Sequence, residues 1–338
     1  RGFRSHEGEV VVLADPDILG HFLNMVFAKS STTGDSTDGY THPFVVGTPD
    51  TYTMEIKKGD HAVRYFGVRI DELKLDFADG RLQITASVKA MGQFSTAKLD
   101  AELTGAGMTE AVLSDVYDLE PNRGLLSGDK LSIGGTEVTL SSVDADGVTV
   151  GFSSTSVTAS VGAEVFLKPL SVTQPTLQEP LLMGNLLVGF GTDESDATGN
   201  AVQADSTPLY DLSISIKNNL FAQNGTNRVD PVLIAPQIRE ASIECKQLYS
   251  STAQRSAWLS RSKQAITMIF KGKHINPDYS THEQLTMKFH NVKLIENNTP
   301  LNVGEFIADE QTFEVLYDNS DAKAMTVELI NRTAGTAY

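Results

Sequence analysis

The sequence predicts an all-β protein with minor helix, built as two packed β-sheets plus an inserted small β-domain. Three observations carry that prediction. Apolar side chains alternate with polar ones from Tyr52 onward, the period-two spacing of a strand with one buried face. The dipeptide Asp79-Gly80 splits the longest of these runs in two, and Asp-Gly favours the positive backbone angles of a tight hairpin turn. Near Leu103 the texture shifts to short runs rich in Gly, Ser, Thr and Val, before long alternation returns at Leu212. The expected organisation is residues 1–102 as the first half of a main domain, 103–169 as a small sandwich or barrel module, and 170–338 as the second half. A module of about 65 residues is just large enough to fold by itself.

The first expected element is a helix. Asp15 precedes Pro16, a capping carboxylate before the residue favoured at the first helical position. Ile18, Phe22, Met25 and Val26, with Leu19 and Leu23 beside them, supply an apolar face. The helix should end near Lys29, where Ser30-Ser31-Thr32-Thr33-Gly34 begins a polar loop. Met54 and Ile56 mark a strand before the Gly59-Asp60 turn. Val68, Ile70, Leu73, Leu75 and Phe77 then pair across the Asp79-Gly80 turn with Leu82, Ile84, Ala86 and Val88.

In the module, turns at Ser127-Gly128-Asp129, Gly134-Gly135 and Asp146-Gly147 separate strands at Lys130–Ile133, Glu137–Val143, Val148–Phe152 and Ala163–Leu167. Residues Gly191–Pro208 are polar and turn-rich and are expected as a long exposed loop. Strands follow at Leu212–Ile216 and Ile238–Cys245. A second helix is expected from Ser251 to about Lys263, with Ala253, Ala257 and Trp258 on its buried side. Strands at Ala265–Phe270, Leu285–Phe289, Thr312–Tyr317 and Thr326–Ile330 complete the chain.

Composition narrows the function. Hydrophobic residues make up 40% of the 338, enough for real cores. No stretch approaches the roughly 18 apolar residues of a membrane span. The opening Arg1-Gly2-Phe3-Arg4 lacks Met, as expected of processing or late numbering, and no secretory signal follows it. The single cysteine, Cys245, forms no intrachain disulfide and lies in strand-like sequence, so a buried apolar thiol and a reducing folding compartment are expected. The formal net charge is −16. Such a chain is a poor binder of phosphate backbones; its acidity serves solubility, or lets the protein face DNA without sticking to it.

The chemistry of an enzyme is not apparent, and neither a catalytic residue nor a cofactor is expected. There is no nucleophile elbow, phosphate loop or short histidine ligand pair. His274, His282 and His290 are spaced eight apart, roughly 25 Å along one strand, so no shared metal is expected. Asp144-Ala145-Asp146-Gly147 opens like a calcium loop but lacks the later ligands. The carboxylate pairs Glu72/Asp76 and Asp193/Glu194 read as exposed strand and loop positions. Two sequons, at Asn224 and Asn331, match glycosylation sites without a secretory signal to support them.

One resemblance goes further. Tyr65-Phe66-Gly67-Val68-Arg69-Ile70 within the strand from Val63 to Phe77, the Asp79-Gly80 turn, and the strand from Arg81 to Gly92 resemble the tail tube (major tail) protein family of long-tailed bacteriophages. Leu212 to Leu220, with Asn218-Asn219 near its end, looks like that family's second-half strand. Ile238–Tyr249, the helix at Trp258 and Ala265–Lys271 follow in the family's order, and Asp17-Ile18-Leu19-Gly20 fits its first helix. The match spans about 15–100 and 170–330; the 103–169 insert departs from a minimal subunit.

The resemblance implies a tail-tube-like sandwich or barrel in homohexameric rings, stacked into the virion's tail around a channel for DNA ejection and made in the host cytoplasm. It implies contacts with tape measure, tail tip and terminator proteins, with DNA passing unbound and no membrane partner. On that reading the hairpin offers Asp71, Lys74, Asp76 and Arg81 as candidates for the lumen, Asp76 first among them. The alternatives are another tail ring protein (tip or terminator) and a β-sandwich adhesin or carbohydrate-binding module.

Overall fold

The computed structural model describes residues 4–114, 124–144, 148–171, 178–202, 209–225, 230–248, 253–276, 281–300 and 308–334. The first part of the chain runs through β1 (His6–Leu13), α1 (Pro16–Val26), β2 (Ala28–Lys29), β3 (Thr33–Asp35), β4 (Gly39–Val45), β5 (Tyr52–Lys58), β6 (His61–Ala78), β7 (Arg81–Ala90) and β8 (Gly92–Phe94). Asp15 caps α1 by accepting from the Asp17 amide at 2.8 Å, with Pro16 first in the helix. The helix stops at Val26, short of Lys29, and β2 and β3 pair with β4 where the polar loop was expected. Its buried face is Leu19, Leu23 and Val26; Ile18, Phe22 and Met25 are only half-buried. The β6–β7 turn has φ of 51° at Asp79 and 74° at Gly80, the handedness that matches strand twist. A bulge between Ile70 and Glu72 lets Ile70 and Leu73 both face the core.

The next part is a closed antiparallel barrel: β9 (Thr96–Leu99), β10 (Met108–Ser114), β11 (Lys130–Ile133), β12 (Thr136–Val143), β13 (Thr149–Thr155) and β14 (Glu164–Leu167). Closure leaves it no sheet edges. Its core includes Leu131, Ile133, Val150 and Val165, and also Ala62 of β6 and Phe94 of β8. The barrel therefore begins at Thr96, ahead of the expected 103, and shares its core with the neighbouring sheet. The Asp146-Gly147 turn lies outside the described residues.

The last part comprises β15 (Leu186–Gly191), α2 (Glu194–Val202), β16 (Leu209–Lys217), β17 (Phe221–Asn224), β18 (Pro231–Ala235), β19 (Glu240–Leu248), α3 (Ala253–Ser260), β20 (Gln264–His274), β21 (His282–Asn298), β22 (Ala308–Val315) and β23 (Met325–Asn331). The loop expected over Gly191–Pro208 contains α2 instead; 203–208 lie outside the described residues. Asp193 caps this helix through the Asp196 amide, and Glu194 pairs with Lys288 at 2.6 Å. The second expected helix is α3. Trp258 lies on its exposed side, contrary to expectation, and Ser251 is outside the described residues.

Strands β1-β7-β6-β16-β19-β22 form one wing of a large antiparallel sheet, and β20, β15, β23, β4 and β2 the other. The two wings join at β21, which pairs with β22 over 292–298 and with β23 over 284–289. The wings face each other across a common core. Phe77 meets Phe270 at 6.1 Å between ring centroids, and Phe190 meets Phe313 at 5.9 Å. Leu73, Leu75, Ile84, Ile214 and Ile243 of the first wing and Phe270, Leu285, Met287 and Leu329 of the second are buried there. A one-residue slip of β16 would expose Leu212, Ile214 and Ile216 together, costing roughly 5–9 kcal/mol. That penalty fixes which side chains the opposite face presents.

A candidate channel face and its two open edges

Burying the apolar half of each strand in the first wing leaves a continuous polar face on the other side. Across it, Gln83, Asp76, Ser213, Glu244, Thr312 and Glu296 form one cross-strand row from β7 to β21. Around that row stand Glu72, Asp211, Glu240, Glu310 and Glu314, with Lys74, Lys217, Lys246 and Lys293 among them. Carboxylates outnumber lysines, so the face is net negative. A shallow depression of about 290 Å³ lies over Asp211, Glu244, Glu296 and Glu310.

Asp76 sits on this face with its side chain 23% exposed, accepting from Lys74 Nζ at 2.9 Å and from Ser213 Oγ at 3.0 Å. That hydrogen bond raises the Lys74 pKa against the opposing effect of burial, and Asp76, Glu244 and Glu72 add to the negative field around it. Lys246 pairs with Glu310 at 3.1 Å and Lys217 approaches Glu72 at 3.7 Å. The other hairpin candidates separate. Lys74 shares the face, whereas Arg81 lies beside the turn. Asp71, at the bulge, accepts from the Leu220 amide at 2.6 Å and from Lys89 Nζ at 2.9 Å. Its carboxylate holds the end of β16 in place.

Asn218 is equally structural. Fully buried, it donates to Ile70 O at 2.9 Å and accepts from Arg239 Nε at 2.7 Å. Arg239 in turn donates to Val26 O and Gly47 O, capping the C-terminal end of α1. Asn331, the second sequon, is also fully buried, donating to Pro16 O at 3.0 Å and bound to His42 Nε2 at 3.0 Å.

The first wing is open at both ends. Among the described residues β1 pairs only with β7, and Glu7, Glu9, Val11 and Leu13 lie exposed along it. At the far end, residues 293–298 of β21 pair only with β22 among the described residues. Beside them α3 is fastened by Trp258 Nε1, which donates to Ile295 O at 3.3 Å. Trp258, Leu259 and Ile295 stand exposed there with Arg261 and a half-buried Lys293, and Glu296 lies on the same segment. One end thus offers carboxylates beside apolar side chains, and the other offers two cations and one carboxylate beside apolar side chains. These ends leave no local signal in the sequence, because edge status is decided by pairing across the whole chain.

A second groove, of about 1020 Å³, runs between the barrel and the β5–β6 turn. It is lined by Lys57, Lys130 and Lys168 with Glu55, Asp60 and Glu137, without an aromatic side chain among the described lining residues. No family model matches the sequence, and no curated protein matches it.

Proposed function

We propose that this chain is a structural subunit of a bacteriophage tail tube, forming closed rings that stack around a channel for DNA. The observation that carries the proposal is the first wing of the sheet, with an acidic polar face and unlike, complementary edges at its two ends. Unlike edges favour head-to-tail contacts, which close into rings when the rotation allows. Joining the β1 end of one copy to the α3–β21 end of the next would cover both open edges and set Glu7 and Glu9 against Arg261 and Lys293. A net-negative wall would repel phosphate, whereas basic patches would bind it by counterion release. The groove beside the barrel is lined mainly by charged side chains, with Pro169 and Leu170 and without an aromatic ring among the described residues, unlike the mostly apolar and aromatic lining usual in small-ligand sites, which weighs against the carbohydrate-binding alternative. Negative-stain microscopy of the concentrated protein tests the proposal: rings or tubes are expected, and a monomer at every concentration would overturn it.

A further inference from the structure

His274 and His282, eight residues apart, lie on two strands and not on one, because the chain reverses between them. They are register partners across the β20–β21 hairpin, and their ring centroids are 3.8 Å apart. His282 alternates with the core residues Leu285 and Met287, which puts the pair on the outer face of the second wing. His290 stays apart, buried farther along β21 and bound to Asp321 and Thr326.

The His282 ring is oriented by Gly272. Its Nδ1 lies 3.2 Å from the Gly272 carbonyl oxygen, and a carbonyl only accepts, so Nδ1 carries the proton. In the neutral ring this leaves the Nε2 lone pair available. A backbone carbonyl on one ring nitrogen and a free lone pair on the other is the arrangement that prepares histidine for a metal. We propose that His274 and His282 together form a binding site for a first-row transition metal ion of the zinc, nickel or copper type.

The pair lies within reach of this ligand class. Two metal–nitrogen bonds of about 2.0–2.1 Å at a tetrahedral angle place the nitrogens about 3.3 Å apart, with the ring centroids farther apart than that because the rings radiate from the ion. The rings, now 3.8 Å between centroids, reach this arrangement by splaying about the soft second side-chain torsion of histidine. Imidazole selects these ions over calcium or magnesium, which take oxygen ligands. His274 is exposed and His282 half-buried, so an ion can enter and water can fill the other positions. The Arg332 guanidinium donates to the His274 carbonyl and is paired with buried Glu283 at 3.1 Å, which offsets its repulsion of a cation.

Titration of the full chain with zinc or nickel chloride at neutral pH, followed by calorimetry and thermal shift, tests the site. Saturable binding of one ion per chain and a raised melting temperature are expected. His274→Gln and His282→Gln should each weaken binding by at least the roughly 10–100-fold that loss of an outer-shell partner costs. His61→Gln, which removes a histidine on β6, should bind as wild type does. His274 is exposed, so its substitution leaves the fold intact and the comparison interpretable. Absence of saturable binding, or binding unchanged in both pair variants, would overturn the proposal.

Discussion

Arg64 joins the barrel to the sheet, and its removal should uncouple their unfolding. Its side chain is 3% exposed. It donates to Asp129 Oδ2 at 2.5 Å and Oδ1 at 2.8 Å, to Gly124 O at 3.1 Å, and to Glu55 Oε2 at 2.9 Å. Burial pulls its pKa down, but the two carboxylates more than compensate and raise it. The Arg64→Ala variant strands Asp129, 5% exposed, and Glu55, 15% exposed, without their cation. Breaking a buried pair in this way costs about 3–5 kcal/mol, a large share of the roughly 5–15 kcal/mol that holds a typical protein folded. Urea unfolding followed by two probes reads the outcome. The single tryptophan, Trp258, lies on α3, which packs on β21 of the sheet, while far-ultraviolet circular dichroism senses both parts. The dichroism should show an early barrel transition that Trp258 fluorescence does not. A triple variant, Arg64→Met with Asp129→Leu and Glu55→Met, should recover most of the loss, because no buried charge remains unpaired. Coincident transitions with a shift below about 0.5 kcal/mol, the range of ordinary surface substitutions, would refute the reasoning.

Three other predictions follow from local geometry. A Cβ at Gly189 would lie 2.0 Å from Ala197 O, and one at Gly191 2.3 Å from Ala197 N; either alanine variant should lift α2, cost about 1–3 kcal/mol, and abolish amide-exchange protection over 194–202 while β16 stays protected. Retained protection there would contradict the close packing. Burial lowers the His42 pKa, with Asn331 opposing; a histidine so depressed contributes stability above about pH 6.5 that is lost as pH falls toward its folded value, so His42→Gln should flatten the stability profile below about pH 6.5, and an unchanged slope would remove His42 as its source. The Leu167 amide donates to Ser95 O at 3.1 Å, so the barrel leaves and rejoins the sheet at adjacent points; excising 96–166 with a short linker and Arg64→Leu should leave a soluble chain with native-like Trp258 fluorescence, and insoluble protein would make the barrel integral to the fold.

How much of this was legible depended on where each signal resides. The β6–β7 hairpin was readable because alternation and Asp79-Gly80 are both local, and Asp15-Pro16 announced α1 for the same reason. The α2 helix was missed because its docking relies on Ala197 and Ala201 meeting Gly189 and Gly191, a contact permitted by missing side chains. Asp193 and Asp196 were the available signals, a cap and an acid in the first turn. Trp258 was misassigned because an aromatic on a short helix looks like a core residue, whereas its ring spans a sheet edge. The His274/His282 pairing was hidden because sequence separation measures distance along a strand and the chain turns between them. Asp76 was placed on a polar face by alternation alone, but its partners Lys74 and Ser213 required the register.

Asp76 also sharpens the argument about the proposed channel. A lysine on a wall facing DNA would exchange its counterions for phosphate and hold the duplex, and the face carries several lysines. Lys74, Lys217 and Lys246 each stand beside a carboxylate, so the physical role of Asp76 is to occupy Lys74 as much as to add a negative charge. The Asp76→Asn variant keeps the size of the side chain and an acceptor for Ser213 while releasing the Lys74 ammonium. If the face lines the DNA path, assembled particles of this variant should bind duplex DNA more tightly than wild type at low salt. The log–log salt dependence should steepen by up to about 0.9 for each newly engaged lysine. Adding Lys74→Gln should abolish the gain, which separates a released cation from a distorted sheet. DNA affinity equal to wild type at low salt would remove this face from the channel wall, even where rings are seen by microscopy.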